Sequence, residues 1–125
     1  MIHTDVFLDH VAGKREPSVL RKAMSKYFCY TTVFQAIELF SFAKSEREMR
    51  IIEDSMAVVK LLGLNARTAR KYGEMIAKDR KMNRWNILIA GLCLESRLPL
   101  LTNSGKEFAG FGGLQIMPAN SLLKD

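Results

Sequence analysis

Residues 83–108, NRWNILIAGLCLESRLPLLTNSGKEF, decide the fold. Ile87, Leu88, Ile89, Ala90, Leu92, Cys93 and Leu94 make a helix that is apolar on more than one face, as a helix packed between layers must be. Asn86 is placed to cap its first turn. Beyond Ser96-Arg97, the run Leu98-Pro99-Leu100-Leu101 shows no polar alternation, which suits a strand covered on both faces of a parallel sheet. The run stops at Thr102-Asn103-Ser104-Gly105, small or polar residues at the strand's carboxyl end, the edge where open parallel α/β sheets bind ligands. A helix start and a strand end thus aim polar side chains at one crevice.

The rest of the chain repeats this alternation. Met1 to Asp5 reads as a very short first strand, with His3 and Asp5 at its junction with a helix carrying Val6, Phe7, Leu8 and Val11 and ended by Gly13. A start two or three residues upstream would make that strand more ordinary. A helix is expected from Pro17 to Lys26, with Val19, Leu20 and Met24 inward. Tyr27 to Thr31 is rich in strand formers, and Thr31-Thr32 can cap a helix from Val33 to Ala43. Residues 45–56 read as a solvated helix, Val58 to Leu64 as a third strand, and Asn65 to Asn83 as one long amphipathic helix. Its inner stripe would be Ala66, Ala69, Tyr72, Met75 and Ile76. Leu114 to Met117 closes the series as a last strand. The order β-α-α-β-α-α-β-α-α-β-β implies one domain, residues 1–125, with a mainly parallel sheet and helices on both faces.

Composition narrows the function. The chain has 125 residues, 48% of them hydrophobic and 26% charged, and a net charge of +6, with a pI near 9.6. These values describe a folded basic domain and favour an acidic partner such as nucleic acid. The basic charge is concentrated at Arg67, Arg70, Lys71, Lys78, Arg80, Lys81 and Arg84, with Tyr72 and Trp85 nearby for base stacking. Cys29 and Cys93 lack metal-ligand or redox spacing and read as buried thiols. No apolar run approaches the roughly 20 residues of a membrane span, and no secretory leader pattern opens the chain, so the cytoplasm is the expected location. Neither GxGxxG nor GxxxxGK[ST] occurs, which disfavours a dinucleotide or P-loop enzyme, and GxSxG is absent too. One residue stands out: Glu38, crowded by Phe34, Ile37, Leu39 and Phe40, is expected to be partly desolvated, which calls for a salt bridge or backbone contact, or for a role in a site.

Taken together, HTDVFLDHVAG (3–13), YTTVFQAIELFSFA (30–43), NILIAGLCLESRLPLLTNSGKEF (86–108) and GLQIMP (113–118) resemble the PIN domain of VapC-type toxins, almost end to end. The resemblance implies a three-layer α/β/α sandwich around a parallel sheet, Mg²⁺- or Mn²⁺-dependent cleavage of RNA, a neutralising antitoxin and a homodimer. Cleavage of that kind needs several carboxylates at one point, to hold hard cations and activate water. The family's acidic positions fall here on His3, Glu38, Asn86 and Ser104, and only Glu38 keeps its carboxylate. Asp5 takes the polar third position of the first motif. A register shifted by two would make Asp5 the first acid but would put Phe7 in the polar place, so the register with His3 is preferred. Asp5 and Glu38, with Asn86 oxygen, are the candidate ligands of a single Mg²⁺ or Mn²⁺. His3 with the same two acids would suit a softer ion such as Zn²⁺. Asp5, Glu38, Asn86 and Ser104 are the candidate catalytic residues. Two functions follow: an RNA-directed enzyme with an impaired site, or an inactive PIN-like module binding RNA or protein.

Overall fold

A computed structural model of the chain describes residues 1–123. Helices α1 (Thr4–Ala12), α2 (Val19–Lys26), α3 (Val33–Phe42), α4 (Glu46–Val58), α5 (Ala69–Lys78) and α6 (Arg84–Ser96) enclose strands β1 (Tyr30–Thr32), β2 (Lys60–Leu62), β3 (Leu100–Thr102) and β4 (Ile116–Pro118). β1 pairs with β2 and β3 with β4, both in parallel. The first residues join the two pairs: Ile2 bridges Leu101 in parallel, and Ile2 N–H donates to Tyr30 O at 2.7 Å. The spatial order is therefore β2, β1, the Met1–His3 segment, β3, β4.

Side chains alternate across this sheet as strand geometry requires, and the alternation builds two cores. Ile2 and Leu101 face one core with Val6 and Phe7 of α1, Leu20 of α2, Leu39 of α3 and Ile52 of α4. Met1 and Leu100 face the other, with Tyr72 of α5 and Ile89, Ala90, Leu92 and Cys93 of α6. A sheet with a helical core on each face is the three-layer α/β/α sandwich expected from the sequence. Both cysteines are buried and unbonded, and burial pushes their thiols up, that of Cys93 to about 11. Among the described residues, no helix is long and apolar enough to cross a membrane.

Local chemistry moved several boundaries. Ser18 caps α2 by accepting from Arg21 N–H, so Pro17 lies outside that helix. β1 starts only at Tyr30, because Tyr27 and Phe28 stand exposed before it. α4 runs on through Val58, which shortens the third strand to Lys60–Leu62 at the sheet edge. The long helix expected over residues 65–83 is broken. Asn65 caps a short 3-10 turn, Ala66–Thr68, and α5 ends at Lys78. There Asp79 Oδ1 accepts from the backbone N–H of Lys81 and Met82. An Asp side chain that binds nearby backbone competes with helix continuation. The inner stripe contracts accordingly: Tyr72 is buried and Met75 and Ile76 half-buried, while Ala66 and Ala69 are exposed.

The contact between α5 and α6 depends on Gly91. A Cβ built there would collide with Tyr72 Cε1, and Tyr72 is itself held in place by its hydroxyl, which donates to Glu95 Oε2 at 3.0 Å. Gly91→Ala should therefore destabilise the fold by about 1–3 kcal/mol through overpacking, despite alanine's better helix propensity. Chemical denaturation measures this, and an unchanged or raised midpoint would refute the packing account.

Candidate functional site

The polar end of the sheet is assembled by α1. His3 is extended (φ −79°, ψ 154°) just before the helix, so the chain turns there and brings Asp5 into its first turn. The Asp5 carboxylate reaches the end of β3. Its Oδ2 accepts from Thr102 Oγ1 at 3.1 Å, Asn103 N–H at 3.1 Å and Ser104 Oγ at 2.8 Å. His3 Nδ1 lies 3.3 Å from the same oxygen and 2.9 Å from Thr102 Oγ1, while its ring stands edge-on to Phe108. One turn along α1, Asp9 accepts from Asn103 Nδ2 at 3.0 Å. Asp5 Oδ1 is buried and makes no hydrogen bond among the described residues.

A buried hydroxyl and amide chain supports this end of the sheet. Thr4 Oγ1 donates to Gln35 Oε1, Gln35 Nε2 donates to Thr31 Oγ1, and Thr31 Oγ1 donates to Ile2 O. Thr32 caps α3 by accepting from Gln35 N–H. The direction in which α3 leaves the sheet is thus fixed, and Glu38, one turn beyond Gln35, faces the cleft. Glu38 is half-buried, not enclosed as its apolar neighbours suggest, because Ile37 turns outward and is 58% exposed. Its carboxylate has no hydrogen-bond or ion-pair partner among the described residues, so no salt bridge explains it.

Asn83, not Asn86, caps α6: its Oδ1 accepts from the N–H groups of Trp85 and Asn86. That leaves the Asn86 side chain free to line the cleft. His3, Asp5, Glu38, Asn86 and Ser104 all line one cleft of about 520 Å³, together with Thr4, Leu8, Phe42, Met82, Asn83, Trp85, Ile89 and Glu107. Of these additions, Glu107 carries the most chemistry. It sits in the acidic turn Gly105–Phe108, whose last residue is buried. The signal for it was a charged residue beside an anchoring phenylalanine, directly after the strand that ends at the site.

The divalent ion implied by the resemblance does not fit this donor set. Among the described residues, no three His, Cys, Asp or Glu side chains are grouped closely enough to hold a metal. Asp5 Oδ2 already accepts three hydrogen bonds, and Oδ1 is shielded. Among the described residues, the lining holds three carboxylates, Asp5, Glu38 and Glu107, and neither lysine nor arginine.

Burial pushes the Asp5 carboxyl up, but the His3 contact and the hydroxyls of Ser104 and Thr102 outweigh it and hold it below its ordinary value of 3.8. Because the folded value is the lower one, Asp5 contributes stability that is present above 3.8 and lost as pH falls through the folded value. In acid titrations of unfolding, Asp5→Asn should lack the part of the stability loss that begins at about pH 4. An acid limb identical to that of the parent would show that the carboxylate is not held this way.

No protein-family model and no curated protein matches this sequence. Solved structures do. A toxin–antitoxin complex from Klebsiella pneumoniae contains a chain superimposing with a TM-score of 0.73 at 17% identity, covering 94% of this chain and 95% of that one. VapBC-1 from nontypeable Haemophilus influenzae gives a TM-score of 0.75 at 20% identity, covering 96% and 97%. At these identities the likeness is one of fold, and it spans nearly the whole of both chains: the protein has the PIN-like three-layer α/β/α architecture found in these toxin–antitoxin structures.

Proposed function

We propose that this chain is a VapC-related, RNA-directed PIN-like protein whose metal-dependent cleavage is impaired. The observation that carries the reading is the turn between α5 and α6. Met82, Asn83 and Trp85 line the cleft, while Lys78, Arg80, Lys81 and Arg84, which flank and interleave with them, are exposed. Asp79, the one acid of the run, spends its side chain on backbone N–H groups. Trp85, 43% exposed and packed beside Phe34 at 5.9 Å, offers a braced stacking surface. Cations at a rim and an aromatic inside it are what single-stranded RNA requires. Impaired cleavage follows from the site: His3, Asn86 and Ser104 stand where acids are expected, and the carboxylates present are not grouped for an ion.

A second reading is favoured by the cleft's charge. Its interior joins three carboxylates to Leu8, Phe42 and Trp85, a lining that suits a basic, partly apolar segment of a protein partner. Both solved neighbours are toxin–antitoxin structures, so a cognate antitoxin is the partner this reading names. The homodimer implied by the resemblance belongs to the same proposal and is read by sedimentation.

Anisotropy titrations with a single-stranded RNA, over a series of salt concentrations, test the first reading. Replacing Arg80, Lys81 and Arg84 together by alanine should weaken binding and lower the salt slope by about 2, given roughly 0.7 per phosphate contact on single strands. Trp85→Ala should cost about 1–3 kcal/mol of affinity. RNA incubated with Mg²⁺ or Mn²⁺ should be cleaved no faster with the parent protein than with Glu38→Gln. Affinity unmoved by either surface change would sink the RNA reading, and metal-dependent cleavage lost in Glu38→Gln would replace impairment with a working nuclease.

A further inference from the structure

The hydrogen bonds around Asp5 can be assigned donor by donor. Thr102 has one hydroxyl hydrogen, and it is directed at Asp5 Oδ2, while its oxygen accepts from Ser104 N–H at 2.9 Å. With the Thr102 hydrogen on Asp5, the 2.9 Å contact between His3 Nδ1 and Thr102 Oγ1 is assigned to donation by histidine, with the proton on Nδ1. That same N–H lies 3.3 Å from Asp5 Oδ2. The turn after β3 is therefore drawn onto α1 entirely by N–H and O–H groups of the chain.

We infer that His3 is a positioning residue that makes the cleft complete without a divalent cation: its Nδ1–H, with the donors of Thr102, Asn103 and Ser104, holds the Asp5 carboxylate in the way a shared ion would hold clustered acids. The inference deepens the reading of the cleft as one with impaired metal chemistry and rests on it for the cleft's role, but it concerns metal and stability, not RNA. An ionised acid at position 3 could only accept. It would present a second carboxylate at the distance His3 now occupies, where like charges repel unless a proton or cation lies between them. Histidine reverses the polarity of that one contact, and the need for an ion goes with it.

Thermal unfolding with about 1 mM MnCl₂ or about 1 mM EDTA, paired with calorimetric titration of Mn²⁺, tests this on the parent protein, His3→Asp and His3→Asn. The parent should melt at the same temperature in both solutions, within about 1 °C, and give no saturable heat. His3→Asp should melt lower in EDTA and recover on the order of 5 °C with Mn²⁺, because an ion that binds only the folded state stabilises it. His3→Asn keeps an N–H donor at the same distance from the backbone as Nδ1 and should remain indifferent to metal. Saturable Mn²⁺ binding or a Mn²⁺-raised melting temperature in the parent would overturn the inference, as would a folded His3→Asp that ignores the ion. Should His3→Asp not fold, ¹⁵N spectra of the parent decide independently: a proton on Nδ1 of His3 supports the clamp, and a proton on Nε2 alone overturns it. Neither readout uses RNA, so loss of RNA binding and loss of this inference are separate results.

Discussion

Three residues at the start of the chain hold the sheet together. β1 and β2 form one parallel pair and β3 and β4 another, and the link between them is the segment Met1–His3. Ile2 N–H donates to Tyr30 O on one side, while Leu101 N–H donates to Met1 O at 2.8 Å and His3 N–H to Leu101 O at 3.0 Å on the other. Met1 and Ile2 then enter opposite cores. So short a strand succeeds because nearly every backbone group it has is paired and both its apolar side chains are buried. The same pairing places the site. β1, the Met1–His3 segment and β3 all end at one edge, so Thr32 and His3 start α3 and α1 beside Thr102, the last residue of β3.

Polar side chains under that edge then do the aiming. Thr31, Thr32, Gln35 and Thr102 are each at most 1% exposed, and burying them is tolerable because each has a partner. A satisfied buried hydrogen bond contributes only about 0.5–1.5 kcal/mol net, whereas an orphaned group costs more, so such a chain specifies one arrangement more than it adds stability. Glu38 reaches the cleft as a consequence. Its helix is capped by Thr32 and held through Gln35, which fixes the face of the next turn on which Glu38 stands.

The layers and the meeting of polar residues were legible in the sequence, since both follow from period: apolar runs for covered strands, broad apolar faces for α6, polar residues where each strand stops. What was not legible was side-chain chemistry that overrides period. Asp79 ended a helix whose basic and apolar spacing continued past it, and Asn83 took the cap that Asn86 seemed fit for, which changed Asn86 from a capping group into a lining group. Glu38 looked enclosed because its neighbours in sequence are apolar, yet helix geometry sends Ile37 to solvent and Gln35 to the core. Glu107 escaped because a four-residue 3-10 turn carries no pattern of its own. The likeness to PIN domains pointed to residues that line one cleft, but which oxygens were still free to act depended on donors from Thr102, Asn103 and Ser104.

The charge of the molecule is divided in a way that constrains the proposed RNA reading. The chain is basic as a whole, yet the cleft is lined by three carboxylates and no lysine or arginine. A phosphate carried into that interior would meet like charge at reduced dielectric, where repulsion is stronger than in water. In a metal nuclease the ion reverses this sign; here the donor set does not group around one. Bound RNA therefore has to keep its backbone on the Lys78–Arg84 rim, where cations are exposed, and offer the cleft something uncharged. A base fits that demand: it can stack on Trp85 and present edge groups to Asn86 and the free Glu38 carboxylate. On the proposed reading, the cleft thus leaves one geometry for RNA, with phosphates outside and a base inside.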